Sequence, residues 1–244
     1  MLTLFRNLFA PPRHMILLVI AAWLGLTLAE KRAKQYGLSK DDLNNLIFYG
    51  LIAFVIGGRL SFVLQNITTF IKSPAGIISI NPDIFDPIGA TAVALIIALV
   101  YGQRLSLSLW PTLDALTPFF AILAIGIGLS HLAAGTAFGK ETSLPWGIDL
   151  WNAARHPTQI YETLASLLIF GLLWFQKQSP RPGIHFLTFA AFTAASHLFI
   201  EAFRGDTSTL IFNSLNPNQV IAWVALALCF LALESRITQL KKAG

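Results

Sequence analysis

A chain of 244 residues has room for one membrane domain or for one to two soluble ones. Hydrophobic residues make up 55% and charged residues only 12%, with a mean hydropathy of +0.65; that is about half the charge a soluble globular surface carries, so the chain belongs in a bilayer. The single cysteine, Cys229, excludes an internal disulfide framework and a multi-cysteine zinc site. The net charge of +5 comes with no basic block or aromatic platform, which argues against a nucleic-acid partner and for topology and anionic-lipid contact.

A hydrocarbon core about 30 Å thick needs about 20 apolar residues at 1.5 Å each. Seven runs meet or approach this length, near 15–29, 44–65, 88–102, 118–138, 158–176, 183–203 and 218–233. The expected fold is therefore an all-α integral membrane protein with seven transmembrane helices in a single polytopic domain, residues 1–244. In the first run, Arg6, an apolar stretch and Thr27-Leu28-Ala29 imitate a secretory signal, but Lys31, Arg32 and Lys34 follow at once and resist translocation. An uncleaved first span is expected.

Lys and Arg in the connections set the orientation. Ten of them (Lys31, Arg32, Lys34, Lys40, Arg104, Lys177, Arg181, Arg236, Lys241 and Lys242) fall on one side, against six on the other: Arg6, Arg13, Lys72, Lys140, Arg155 and Arg204. The richer side is expected to be cytoplasmic, with the N-terminus outside and the C-terminus inside. The longest connections, near 66–87 (Pro74, Gly76, Pro82) and 139–157 (Pro145, Trp146, Trp151), are then external. Segment 105–117 is amphipathic and is expected to lie along the inner interface before the fourth span.

Ionisable groups inside apolar helices are expensive, which makes them functional candidates by default. Arg59 sits in the outer half of the second span, with Asn66 seven residues on along the same face. His131 lies near the outer end of the fourth span. His156, Gln159, Tyr161 and Glu162 open the fifth, and His197, Glu201 and Arg204 share a face of the sixth. Taken singly, such an arginine often snorkels and such a histidine is usually just hydrogen-bonded. Taken together, four spans place polar groups at one level while the cytoplasmic half is almost free of them, which points to a polar cavity opening to the outer leaflet. Arg59 and Arg204 suit a phosphate, because guanidinium is a planar, permanently charged fork.

Other signals are weaker. The five histidines show no H-E-x-x-H or related spacing, so no metal site is expected, and nothing calls for a cofactor. Asn66-Ile67-Thr68 matches a glycosylation acceptor by a pattern too short to carry weight. Cys229 reads as inert packing, and Ala124, Gly128 and Gly135, on the face of His131, read as close helix packing.

The same residues carry a resemblance to the bacterial prolipoprotein diacylglyceryl transferases. Arg155-His156-Pro157-Thr158-Gln159-Ile160-Tyr161-Glu162 resembles that family's R-H-P-[ST]-Q-L-Y-E segment, preceded by a matching Leu144-Pro145-Trp146-Gly147-Ile148. Gly57-Gly58-Arg59-Leu60 with Asn66 resembles its G-[AG]-R-x segment. Ile200-Glu201-Ala202-Phe203-Arg204 resembles V-E-x-F-R, and Leu113-Asp114-Ala115-Leu116-Thr117-Pro118 resembles L-D-x-x-A-P. The likeness runs from about 15 to 235 in the same order, and the family too has seven helices with its N-terminus outside. The departures fall on the family's most catalytic positions: Ile88-Gly89-Ala90 replaces H-G-G, Gly128 stands for an arginine, His131 for an asparagine and Thr136 for a glutamate.

The resemblance implies transfer of a diacylglyceryl group from phosphatidylglycerol, or another anionic phospholipid, to a lipobox cysteine of a preprolipoprotein in the bacterial plasma (inner) membrane. His131, Glu201 and Arg204 are the expected catalytic residues, with His131 the best substitute base ahead of His156 and His197. Arg59, Asn66, His156, Gln159, Tyr161 and Glu162 are the expected substrate-binding residues. The alternative is a lipid-binding or assembly protein of the same fold with altered or lost chemistry. A small-solute transporter fits less well, since no pair of broken helices marks the midplane.

Overall fold

A computed structural model of the chain describes residues 2–78, 84–176, 181–206 and 216–241; Pro82, Lys177 and Lys242, used in the sequence argument, lie outside them. Among the described residues the α-helices are α1 (Leu2–Leu8), α2 (Met15–Ala33), α3 (Lys40–Gln65), α4 (Ile67–Lys72), α5 (Pro87–Arg104), α6 (Leu109–Ala134), α7 (Thr158–Phe175), α8 (Ile184–Ile200) and α9 (Pro217–Lys241). A short antiparallel hairpin, β1 (Ile148–Leu150) and β2 (Ala153–Arg155), lies between α6 and α7. Its two-residue turn puts Trp151 and Asn152 at positive φ, 54° and 60°, the geometry that fits the twist of paired strands.

Six helices, α3 and α5 to α9, are long and apolar enough to cross a membrane. The first expected run is also helical, but the last turn of α2 carries Glu30, Lys31 and Arg32. Large apolar side chains stand exposed along the helices, with Ile88 at 83% and Phe175 at 85%. That surface is matched to lipid, where every backbone group must be satisfied within its own helix.

The chain forms two compact units, residues 33–112 and residues 1–32 with 113–244. In the first of these, Ser39 caps α3 by accepting from Asp41 N at 3.2 Å, and Asp41 and Asp42 sit at the positive end of the helix dipole. Asp86 caps α5, accepting from Ile88 N at 3.1 Å and Gly89 N at 3.0 Å, with Pro87 in the first helical turn. The Ser61 hydroxyl, 2.6 Å away, holds the Asp86 carboxyl below the usual carboxylate range. Helices α3 and α5 meet on small residues: a Cβ on Gly57 would strike Val93, one on Gly58 would strike Phe85, and one on Gly89 would strike Ser61. Gly89 thus has a packing reason of its own, while the neighbouring Ile88, at the family's histidine position, points outward.

In the other unit, Ala121, Ile169, Leu173 and Phe189 form a core between α6, α7 and α8, closed by Phe120, Phe170 and Phe186. Helix α6 begins at Leu109, not near 118 as the sequence suggests, and Pro118 lies inside it. Residues 109–117 are therefore the first turns of the helix and do not run along an interface; Ala115, Leu116 and Thr117 are buried. The cause is Asp114. Its carboxylate, 2% exposed, accepts from Gly183 N at 2.6 Å and from Phe186 N at 2.8 Å, capping α8 from another helix. The same end of the unit holds buried His185, 3.0 Å from Arg32 Nη1, while Arg32 Nη2 donates to Trp174 O at 2.6 Å. Polar groups thus gather at both ends of these helices, against the expectation that one half would be nearly free of them.

Candidate active site

At the other end of α6, Gly135 in the left-handed region (φ 72°) stops the helix, and Thr136 N bonds back to His131 O. The following chain threads between two neighbours. Lys140 N donates to Phe203 O and Gly205 N to Phe138 O on one side; His156 N donates to Lys140 O and Thr142 N to Ala154 O on the other. The strands lie so close that a Cβ on Gly139 would overlap the His156 carbonyl, and one on Gly205 would come within 2.6 Å of Gly139 O. Arg155 cements this layer, donating to Leu150 O at 3.1 Å and Glu141 Oε1 at 3.2 Å and covering the Phe138 ring.

The first turn of α7 is fixed from the same loop. Thr158 Oγ1 donates to Ala137 O at 2.6 Å and Gln159 Nε2 to Thr136 O at 2.8 Å. Gln159 is fully enclosed, and its Oε1 has no hydrogen-bond partner among the described residues. Three residues on, Glu162 enters the site with its side chain 9% exposed.

Glu162 is the hub. His131 Nδ1 lies 3.1 Å from its Oε2, while His197 Nδ1 and Arg204 Nη1 lie 3.9 Å and 3.7 Å from its Oε1. Arg204 is ringed by carboxylates: Asp206 takes Nε and Nη2 at 2.9 Å and 3.1 Å, and Glu201 Oε1 is 3.9 Å from Nη1. Glu201 accepts in turn from Asn216 Nδ2 at 2.9 Å. Helix α8 stops at Ile200 and passes through a single 3₁₀ turn, so Arg204 reaches Glu201 from extended backbone rather than from one continuous helical face. His14, just before α2, sits near His131, and burial together with that neighbour pushes its imidazole below the usual range.

A smaller aromatic group adjoins. The His156 ring is 5.1 Å from that of Phe203, its Nδ1 is 3.5 Å from Tyr161 Oη, and Trp146 Nε1 donates to Tyr161 Oη at 2.9 Å.

Of the expected residues, His131, Glu162, Glu201 and Arg204 form one charged network, and His156 and Tyr161 form the aromatic group. Gln159 is enclosed beneath them. Arg59 and Asn66 belong to the other unit: Arg59 donates to Ile77 O at 3.1 Å and Gly76 O at 3.2 Å, and Asn66 Nδ2 donates to Phe62 O at the end of α3. Asp206 and Asn216 had no helical spacing to reveal them. The one hint for Asp206 was an acid two residues after Arg204.

Gly128 lies one turn before His131, and a Cβ there would stand 2.5 Å from Thr163 Oγ1 and 3.0 Å from Thr163 N. No arginine fits at this position while α6 and α7 keep this contact. Among the described residues no group of three or more His, Cys, Asp or Glu side chains is arranged to hold a metal ion.

The family model described as prolipoprotein diacylglyceryl transferase matches residues 13–234. Similar chains include the phosphatidylglycerol–prolipoprotein diacylglyceryl transferase of Clostridium tetani, 30% identical over 188 residues that cover 73% of this chain and 75% of that one. The protein of the same description from Thermotoga maritima is 27% identical over 88% of this chain and 77% of its own length. That of Nostoc sp. is 26% identical over 87% and 81%.

Proposed function

The chain belongs to the prolipoprotein diacylglyceryl transferase family, and from that premise we propose that it moves a diacylglyceryl group from phosphatidylglycerol to the lipobox cysteine of a preprolipoprotein. The observation that carries the reading beyond the family match is a histidine, two acids and an arginine meeting within 4 Å contacts at one end of α6, α7 and α8. In the reaction the cysteine S–H proton passes to His131, and the thiolate attacks the glyceryl carbon that bears the phosphate. An S–C bond forms, the C–O bond breaks, and glycerol phosphate leaves with the bonding electrons. Arg204 meets the leaving phosphate, whose oxygens take over the bidentate seat that Asp206 holds here. Glu201 keeps Arg204 in place from below. His156 and Tyr161 line the approach over Phe203, and Arg59 and Asn66 contact phospholipid within their own unit. The direct test is release of glycerol phosphate from phosphatidylglycerol vesicles, which should require both the protein and a lipobox peptide; release without the peptide, or none with it, contradicts the reading.

Arg204→Ala should cost more activity than Arg204→Lys, because lysine keeps the charge and loses only the fork. A charge-assisted contact is worth roughly 1.5 to 3 kcal/mol, or about one to two decades in rate for Arg204→Ala. Equal losses in the two variants would argue against a phosphate contact.

In this reading the protein is a seven-span domain, residues 1–244, of the bacterial inner membrane, with α2 as the first span and the N-terminus outside. The site then faces the outer leaflet. A cysteine placed at Gly244, with Cys229 replaced by alanine, should stay unlabelled by a membrane-impermeant thiol reagent in intact cells and react after lysis; labelling in intact cells reverses the orientation.

A further inference from the structure

Three histidines lie at the outer ends of these helices, and the structure separates them. His156 Nδ1 stands 3.5 Å from the Tyr161 hydroxyl, and His197 Nδ1 is 3.9 Å from Glu162 Oε1, beyond hydrogen-bond range. Among the described residues, His131 is the one of the three that is hydrogen-bonded to a carboxylate, Nδ1 to Glu162 Oε2 at 3.1 Å. Its side chain is 34% exposed while that of Glu162 is 9% exposed, so a substrate reaches the imidazole and not the acid. Resting on the transferase reading, we infer that Glu162 is not a substrate contact but the positioning residue of a Glu162–His131 pair, which fixes the proton on Nδ1 and leaves Nε2 bare to take the cysteine proton.

The physical basis is the donor count. A carboxylate only accepts hydrogen bonds, so Nδ1 must carry the hydrogen that joins the two groups, and in a neutral imidazole Nε2 then holds the free lone pair. When Nε2 takes the cysteine proton, the resulting imidazolium keeps its bond to Glu162, and the new charge is met by a fixed partner. The other oxygen of Glu162 faces His197 and Arg204, which keeps the carboxylate from swinging away. Gly128 completes the device. With no side chain there, α6 approaches α7 to within direct contact of Thr163, the residue next to Glu162. Glycine at 128 and histidine at 131, which stand for the family's arginine and asparagine on this helix, therefore serve one arrangement: the first brings the acid close, and the second supplies the base it orients.

The test uses the full chain in phosphatidylglycerol nanodiscs, with histidines labelled with ¹⁵N and the His131 signal assigned by its loss in His131→Asn. In the unmutated protein, His131 should show a protonated Nδ1 and an unprotonated Nε2. Glu162→Gln offers an amide N–H to Nδ1, so the proton should move to Nε2, and kcat should fall by about 10²- to 10⁴-fold, the usual range for a general base, with KM for phosphatidylglycerol unchanged. Glu162→Asp keeps an acceptor and should restore the Nδ1–H form with part of the activity. An Nε2–H tautomer in the unmutated protein overturns the pairing, as does a Glu162→Gln variant that raises KM while keeping kcat. The tautomer is read without turnover, so an unmutated protein that has the Nδ1–H form but releases no glycerol phosphate upholds the pairing and counts against the transferase reading.

Discussion

His131→Asn is expected to lower turnover by about 10²- to 10⁴-fold, the contribution of a positioned general base, while phosphatidylglycerol binding is retained. The substitution is unusual in restoring the residue type the family carries at this point, so a simple family copy would be unharmed or improved by it. Here asparagine would still reach Glu162 with its amide but offers no basic nitrogen, and among the described residues the site then lacks any imidazole hydrogen-bonded to a carboxylate. Binding measured by retention of the lipid on the purified protein separates loss of chemistry from loss of the site. Unchanged turnover would remove His131 from the reaction and shift attention to His197, the other imidazole facing Glu162.

The second large effect lies at the opposite end of the same helix and concerns stability. Asp114→Ala takes both carboxylate oxygens from the Gly183 and Phe186 N–H groups at the start of α8. A buried donor left without a partner costs about 1 to 3 kcal/mol, so two of them cost roughly 2 to 6 kcal/mol. At about 2 to 4 °C per kcal/mol for a chain of this size, the unfolding midpoint in detergent should fall by roughly 4 to 24 °C. Asp114→Asn keeps one acceptor oxygen and presents an N–H₂ to the other donor, so it should fall in between. An unchanged midpoint in Asp114→Ala would mean that the cap is replaced by another acceptor and that the D in the L-D-x-x-A-P pattern has a different purpose.

The positions of the long helices were legible because the bilayer leaves few other ways to use a run of apolar residues: α3, α5, α7, α8 and α9 all begin within a few residues of their apolar stretches. The start of α6 was not legible. Pro118 reads as a helix start because it lacks an N–H, and what keeps the turns before it helical is Asp114, whose partners lie 69 and 72 residues away. The same distance hid the polar end formed by Arg32, Asp114 and His185, since each looks like an ordinary residue near a membrane interface until its backbone partner is known. In the site, matching depths grouped His131, Glu162, His197, Glu201 and Arg204, and these side chains meet in the structure. Depth says nothing about which imidazole meets which acid, however, and the 3.1 Å contact across 31 residues decides that. Arg59 shows the limit from the other side: its face and depth were readable, but the carbonyls of Gly76 and Ile77 that it holds belong to a short 3₁₀ turn, Pro74–Ile78, too brief to leave a periodic signature.

A transferase with this divergent site still makes a thioether. The most direct test is the mass of a synthetic lipobox peptide after incubation with the unmutated protein in phosphatidylglycerol vesicles. The expected result is a gain equal to one diacylglyceryl group on the cysteine, one glycerol phosphate released per modified peptide, and no gain on a peptide whose cysteine is serine. A peptide that remains unmodified while the protein binds phosphatidylglycerol would contradict it and leave a lipid-binding protein of the same fold.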